Sequence, residues 1–145
     1  MGRISLVRVV LGGLVAGVVI NFFEFVLNGY FLANDRRDLM ESLHLPQFGM
    51  DEVISFIVLG FVTGLAAVWT YAAIRPRFGV GPKTAIYAAL LTWVTAYFLG
   101  NASDVVAGTQ THAIAYTTMI VGLIEIAAAT LAGAFFYKEA APAAK

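Results

Sequence analysis

Cysteine is absent from the 145 residues. That excludes a disulfide-stapled domain and every mechanism that needs a thiol. Charge is scarce as well. Only 12% of residues are Asp, Glu, Lys or Arg, and nine cations balance nine acids for a net charge of zero. Soluble domains carry about 25% charged residues. Nine cations without excess build no phosphate footprint, so no nucleic-acid partner is expected. There are two histidines, His44 and His112, and neither belongs to a His-x-x-x-His spacing. Together with Asp104 they make a poor zinc signature, and a haem held between helices would want histidines within the helices. The chain also lacks a P-loop, a dinucleotide fingerprint, G-x-S-x-G and H-E-x-x-H. No catalytic residue, metal or cofactor is expected.

What the chain has is apolar bulk: 60% of residues are hydrophobic. Four stretches approach the roughly 20 residues needed to cross about 30 Å of hydrocarbon. They run from about Val9 to Leu32, Val53 to Ile74, Thr84 to Leu99 (with a possible extension to Ala107) and Ala113 to Tyr137. The runs are continuous rather than alternating, which favours helices over a barrel. The expected fold is all-α: one integral membrane domain over residues 1–145, a four-helix bundle.

The connections give the topology. Arg75-Pro-Arg-Phe-Gly-Val-Gly-Pro82 reads as a tight loop with Pro82 at the first position of the next helix. Gly100-Asn-Ala-Ser-Asp104 reads as a break after the third span. Asn101-Ala-Ser103 matches a glycosylation sequon, a weak pattern. In the first loop, Asn34 is positioned to cap a short helix ending before Pro46, with Leu39, Met40 and Leu43 on its apolar side. Such a helix would lie at the membrane interface. The tail from Ala140 to Lys145 is expected to fray. Arg3 and Arg8, then Arg75, Arg77 and Lys83, then Lys138 and Lys145 lie at the termini and the middle loop. Arg36 and Arg37 sit in the first loop among five acids. This bias places both termini inside, in a bacterial cytoplasmic membrane, with Trp69, Tyr71 and Tyr137 as an aromatic belt on that face. No A-x-A-like site follows the first apolar run, so an uncleaved first helix is expected rather than a signal peptide.

Two carboxylates fall within spans, Glu24 and Glu125. An ionised carboxylate at mid-bilayer costs about 2.5–3.5 kcal/mol even on insertion scales, so such groups face protein or water. Asn21, Glu24 and Asn28 share one face of the first helix, continued by Gly17 and Gly13. Thr118, Gly122, Glu125 and Ala129 share one face of the fourth. At about 1.5 Å per residue, Glu24 lies about 12 Å and Glu125 about 18 Å from the same membrane face. Side chains lean toward their own helix N-terminus, which narrows that offset. The two acids are therefore expected to meet near the midplane. No Lys or Arg within a span neutralises them, so they are protonated, paired with a cation, or hydrogen-bonded by Asn, Thr, Tyr or Trp. Glu24, Glu125, Asn21, Asn28 and Thr118 thus form either a proton or cation site or a polar cluster that packs helices. Gly13-x-x-x-Gly17 and Gly60-x-x-x-Gly64 permit close helix approach. Tyr87, Trp93 and Tyr97 on the third helix read as core or lipid-facing bulk, with a ligand-flanking role as the alternative.

In layout the chain resembles the small four-span membrane proteins common in bacterial genomes. The resemblance rests on overall size, on Gly12-Gly-Leu-Val-Ala-Gly17 and on Arg75-Pro-Arg77, and it implies a fold but no activity. Small multidrug transporters also have four spans and a first-helix Glu; Glu24 is the one match. Four-span glutathione-transferase-like enzymes share the size but not their basic helix motif. Two functions follow as expectations. One is a non-catalytic accessory or scaffold subunit with other membrane subunits as partners. The other is a proton- or cation-coupled transporter or pore, a homo-oligomer working through Glu24 and Glu125. In both cases the lipid bilayer is the first partner.

Overall fold

The computed structural model describes residues 4–137. Arg3, Lys138, Lys145 and the tail from Ala140, used above for orientation and fraying, lie outside them. The described residues are helical, with no strand. Helix α1 (Leu6–Val26) runs on through a π-helical turn, Leu27–Phe31. Then come α2 (Ala33–Ser42) and α3 (Met50–Phe78). Helix α4 (Pro82–Trp93) continues through a second π-helical turn, Val94–Phe98, into α5 (Leu99–Ala107). The last is α6 (His112–Phe136). Four continuous helices, Leu6–Phe31, Met50–Phe78, Pro82–Ala107 and His112–Phe136, are long and apolar enough to cross a membrane. Their outer faces carry exposed Phe22, Phe25, Ile54, Leu59, Ile124 and Phe135. A surface this apolar suits contact with lipid tails rather than water.

α1 packs antiparallel against α3 and α6, and small residues set the spacing. α1 lies most extensively against α3, where Gly13 and Gly17 meet Gly64. A Cβ on Gly64 would sit 2.6 Å from the Gly13 carbonyl oxygen and 2.9 Å from Gly17 Cα. The two small-xxx-small motifs therefore join helices of one chain. α1 approaches α6 in the same way at Gly12 and Gly133, where a Cβ on Gly12 would lie 2.6 Å from the Gly133 carbonyl oxygen. Ala16, Ala67, Ala72, Ala85, Ala88, Ala89 and Ala129 fill the core with Ile20, Val68 and Ile126. Without a water-driven hydrophobic effect between helices in lipid, such close backbone contact supplies the cohesion.

Several local readings of the sequence are corrected. The Arg75–Pro82 loop shrinks to Gly79-Val-Gly81, because α3 continues through Pro76 to Phe78. Gly79 and Gly81 hold φ of +88° and +133°, values that side chains with a Cβ disfavour. Thr84 Oγ1 donates to the Gly79 carbonyl at 2.8 Å and fixes the turn. Pro82 does open α4. The expected break at Gly100–Asp104 is helix: one Gly costs only about 1 kcal/mol against Ala, and Asn101 Nδ2 donates to the Tyr97 carbonyl at 2.7 Å. The helix ends instead at Gly108, left-handed at φ +74°. Gly108 N–H and Thr109 N–H donate to the carbonyls of Val105 and Asp104, a Schellman closure. α2 closes in the same way with His44 at φ +55°, two residues before Pro46. Leu45 N–H and His44 N–H there donate to Met40 and Glu41. Asn34 lies inside the first turn of α2 and does not cap it; the cap position is Leu32, with no side-chain bond. Leu39, Met40 and Leu43 are half-buried, and Leu39 packs on Leu27, Leu32 and Ile114. Tyr71 and Tyr137 are buried, edge to face at 6.0 Å, with Arg75 over the Tyr137 ring. Only Trp69 of the expected aromatic belt is exposed.

The glycine spacing makes a paired prediction. Gly64→Ala forces its methyl into the backbone of α1 and should destabilise the protein by about 1–3 kcal/mol. Gly100→Ala meets nothing within 4 Å and should add up to about 1 kcal/mol of helix stability. Reversible unfolding in mixed micelles measures both; equal effects would contradict the packing described.

Candidate functional site

A line of polar side chains enters the bundle at the α2 end and stops at its centre. Arg36, on α2, turns inward and its Nε–H donates to Asn28 Oδ1. Asn28 Nδ2 donates to Glu24 Oε2 at 2.5 Å and to the Glu24 carbonyl at 3.1 Å. Glu24 Oε1 lies 3.2 Å from the Tyr97 hydroxyl, and the same hydroxyl lies 2.6 Å from Glu125 Oε1. Burial grades along this line. Arg36, Asn28 and Glu24 are half-buried, Tyr97 is 8% exposed and Glu125 0%. Burial pulls the Arg36 guanidinium below its ordinary value, and the nearby Glu24 carboxyl opposes that shift.

The backbone explains why these side chains converge. Along α4 the buried positions are Thr84, Ala85, Ala88, Ala89 and Thr92, so α-helical phase points to Ala96 as the next. The π turn inserts one residue. Ala96 faces outward and Tyr97 takes the buried place. In α1 the same device buries Leu32 and leaves Phe31 exposed, and Asn28 sits within that turn. Each π turn thus carries one member of the polar line, in keeping with the frequency of π bulges at functional sites. Gly122 clears the way for the phenol: a Cβ there would sit 2.8 Å from Tyr97 Cε1 and 3.0 Å from Cγ.

The donor count constrains the chemistry. A phenol carries one O–H proton and can donate to one acceptor at a time. Tyr97 is within hydrogen-bond reach of two carboxyl groups. Both contacts are hydrogen bonds only if one carboxyl supplies a proton of its own. Glu125 Oε2 is buried and has no hydrogen-bond partner among the described residues.

Of the residues expected from sequence, Glu24, Glu125 and Asn28 come together. The two acids meet through Tyr97. Asn21 stands apart: its Nδ2 donates to the carbonyls of Gly17 and of Ile57 on α3. Thr118 is buried on the Glu125 face of α6, with its hydroxyl unpartnered among the described residues. The residues that sequence reasoning missed as members of the site are Tyr97 and Arg36. Trp93, grouped with Tyr97 as bulk, donates its Nε1–H to the Met119 carbonyl at 2.8 Å. Tyr87 is exposed against Phe78.

Two surface grooves flank α6. One, of about 600 Å³, is lined by residues including Trp93, Val105, His112 and Tyr116; the other, of about 270 Å³, by residues including Phe23, Phe31 and Val121. Neither lining includes Glu24, Tyr97 or Glu125. Among known proteins, no family model, no curated protein and no solved structure matches the chain.

The contact between Tyr97 and Glu125 is measurable as a coupling. Tyr97→Phe strands a buried carboxyl and should destabilise by about 1–3 kcal/mol. Glu125→Leu leaves the phenol only its longer contact to Glu24 and opens a gap where the carboxyl packed, and should cost a similar amount. The double variant should cost clearly less than the sum, because neither partner is then left alone. Additive effects in reversible unfolding would mean the contact contributes nothing.

Proposed function

We propose that the chain is a multi-pass protein of a bacterial cytoplasmic membrane that couples proton movement to transport. Both termini are inside and α2 lies at the outer interface. The observation that carries this reading is the Tyr97 hydroxyl between two intramembrane carboxyl groups. Ionisable residues inside a bilayer are costly and are characteristic of ion and proton pathways. The triad is closely packed and outside the lining of either groove, so a proton is the occupant that fits a 2.6 Å oxygen–oxygen contact. The step it supports is a double hop. The O–H bond at Glu125 Oε1 breaks as one forms at the Tyr97 oxygen. Tyr97's own proton passes to Glu24 Oε1. One proton has moved from Glu125 to Glu24, and the phenol is neutral before and after. Four helices are few to enclose a solute path, so the working unit is a homo-oligomer, with Asn21 and Thr118 as helix-packing polar residues beside the path.

A second reading, a non-catalytic accessory or scaffold subunit, draws on the first half of α3. Residues 51–59 are all exposed, and they offer an apolar face to lipid or to a neighbouring subunit. Purification from native membranes in mild detergent separates the two. Stoichiometric companions favour the subunit, and a homogeneous homo-oligomer favours the transporter.

The direct test is proton uptake into proteoliposomes under an imposed pH gradient, alone and with a panel of small solutes. Wild-type protein should take up protons well above protein-free liposomes. Glu24→Gln and Glu125→Gln should fall to that background, and Tyr97→Phe should slow uptake at least tenfold. Wild-type uptake no faster than protein-free liposomes, with every solute tried, would reject proton coupling.

A further inference from the structure

We infer that Arg36 and Asn28 are positioning residues that hold Glu24 ionised, so that the resting proton of the triad sits on Glu125. The inference builds on the proton-carrying reading of the triad and adds its polarity and the cause of that polarity.

Counting the donors around each acid supports it. Glu24 Oε2 accepts a short bond from Asn28 Nδ2, and Oε1 can accept the Tyr97 O–H. Asn28 is held with its amide nitrogen toward Glu24 because its oxygen accepts from Arg36. A neutral amide turned the other way would set oxygen against carboxylate and nitrogen against guanidinium. Arg36 therefore fixes the orientation of Asn28 and also brings a permanent positive charge to the Glu24 end. Glu125 has none of this. It is wholly buried, Tyr97 is its one hydrogen-bond partner, and its second oxygen has no partner among the described residues. A charge there lacks the donors that a buried carboxylate needs, whereas a neutral acid leaves only a carbonyl oxygen unsatisfied. The 2.6 Å contact suits an acid donating to the phenol as well as the reverse, since both fall in the O–H···O range.

All donors then converge on Glu24. Glu125 donates to Tyr97, Tyr97 to Glu24, and Asn28 also to Glu24, with Arg36 behind it. The ionised acid is the one nearer the α2 end, where α2 buries no residue completely. Removing the Arg36 charge and freeing Asn28 to turn takes that support from Glu24, which should then be protonated as well, while wholly buried Glu125 keeps its own proton.

Infrared difference spectroscopy of the protein in lipid, at fixed neutral pH, reads the carbonyl stretch of a protonated carboxyl group. Wild-type protein should show such a band that Glu125→Gln abolishes and Glu24→Gln does not. In Arg36→Met and Arg36→Gln backgrounds Glu24 should add a band of its own, so that Glu125→Gln no longer abolishes the signal, while with Arg36→Lys, which keeps the charge, Glu125→Gln should still abolish it in at least half of the molecules. If Glu125→Gln still abolishes the whole band in both neutral variants, the positioning role is overturned and the proton-carrying triad stands. If wild-type protein shows no protonated carboxyl band, the triad carries no proton and both readings fall.

Discussion

Glu125 has no surface of its own. A carboxyl side chain enclosed in an apolar bundle has to find its hydrogen bond inside the protein, and the Tyr97 hydroxyl supplies it. Much of the surrounding geometry follows from bringing that hydroxyl to that place. The α4–α5 helix must turn its phase by one residue, which the π turn at Val94–Phe98 does. α6 must give way where the ring passes, which Gly122 does. α1 must stand close enough for Glu24 to reach the same oxygen, which the glycine contacts to α3 and α6 allow. A carboxyl buried without any hydrogen bond costs more than a local change of helix phase, so the polar requirement is met by the backbone.

Close packing and the polar line depend on each other. Glycine and alanine interfaces bring backbones together but carry little side-chain shape to fix their register. The contacts of the Tyr97 hydroxyl with Glu24 and with Glu125 add that register, because each joins two helices at one height. Asn21 does the same between α1 and α3 through the Ile57 carbonyl. The bundle is thus held by contacts that are tight everywhere and directional at a few points, a combination suited to lipid, where apolar bulk alone gives helices no reason to prefer one another.

The sequence made four long apolar helices legible through run length, and the convergence of Glu24 with Glu125 through helix periodicity and rise per residue. It placed Gly122 and Ala129 on the Glu125 face for the same reason. Tyr97 was hidden because strict α periodicity puts Ala96 on the buried face; a π turn has no sequence signature comparable to a proline or a capping residue. Arg36 was hidden because it belongs to a helix that reads as surface, and only the turn at Leu32 folds it back onto Asn28. Pro76 and Gly100 misled in the opposite direction. Both look like breakers, yet α3 runs only two residues past Pro76 and a single Gly costs a helix about 1 kcal/mol, so neither is enough to end its helix. The true stops were Gly108 and His44, where the left-handed residue closes the last carbonyls.

On the proposed reading, the asymmetry between the two acids is what separates a proton-carrying arrangement from a polar staple. A staple would be best served by equal partners, each acid sharing its oxygens with matched donors. Here one acid has an amide, a phenol and a nearby guanidinium, and the other has the phenol alone. A single shared proton placed between unequal sites has a preferred home and a higher-energy alternative, linked by one hydroxyl that can pass it on. On the proposed reading, Arg36 sets the size of that difference from outside the bundle. Movement of α2 would then reach the buried acid through two side chains, without any rearrangement of the packed glycine interfaces.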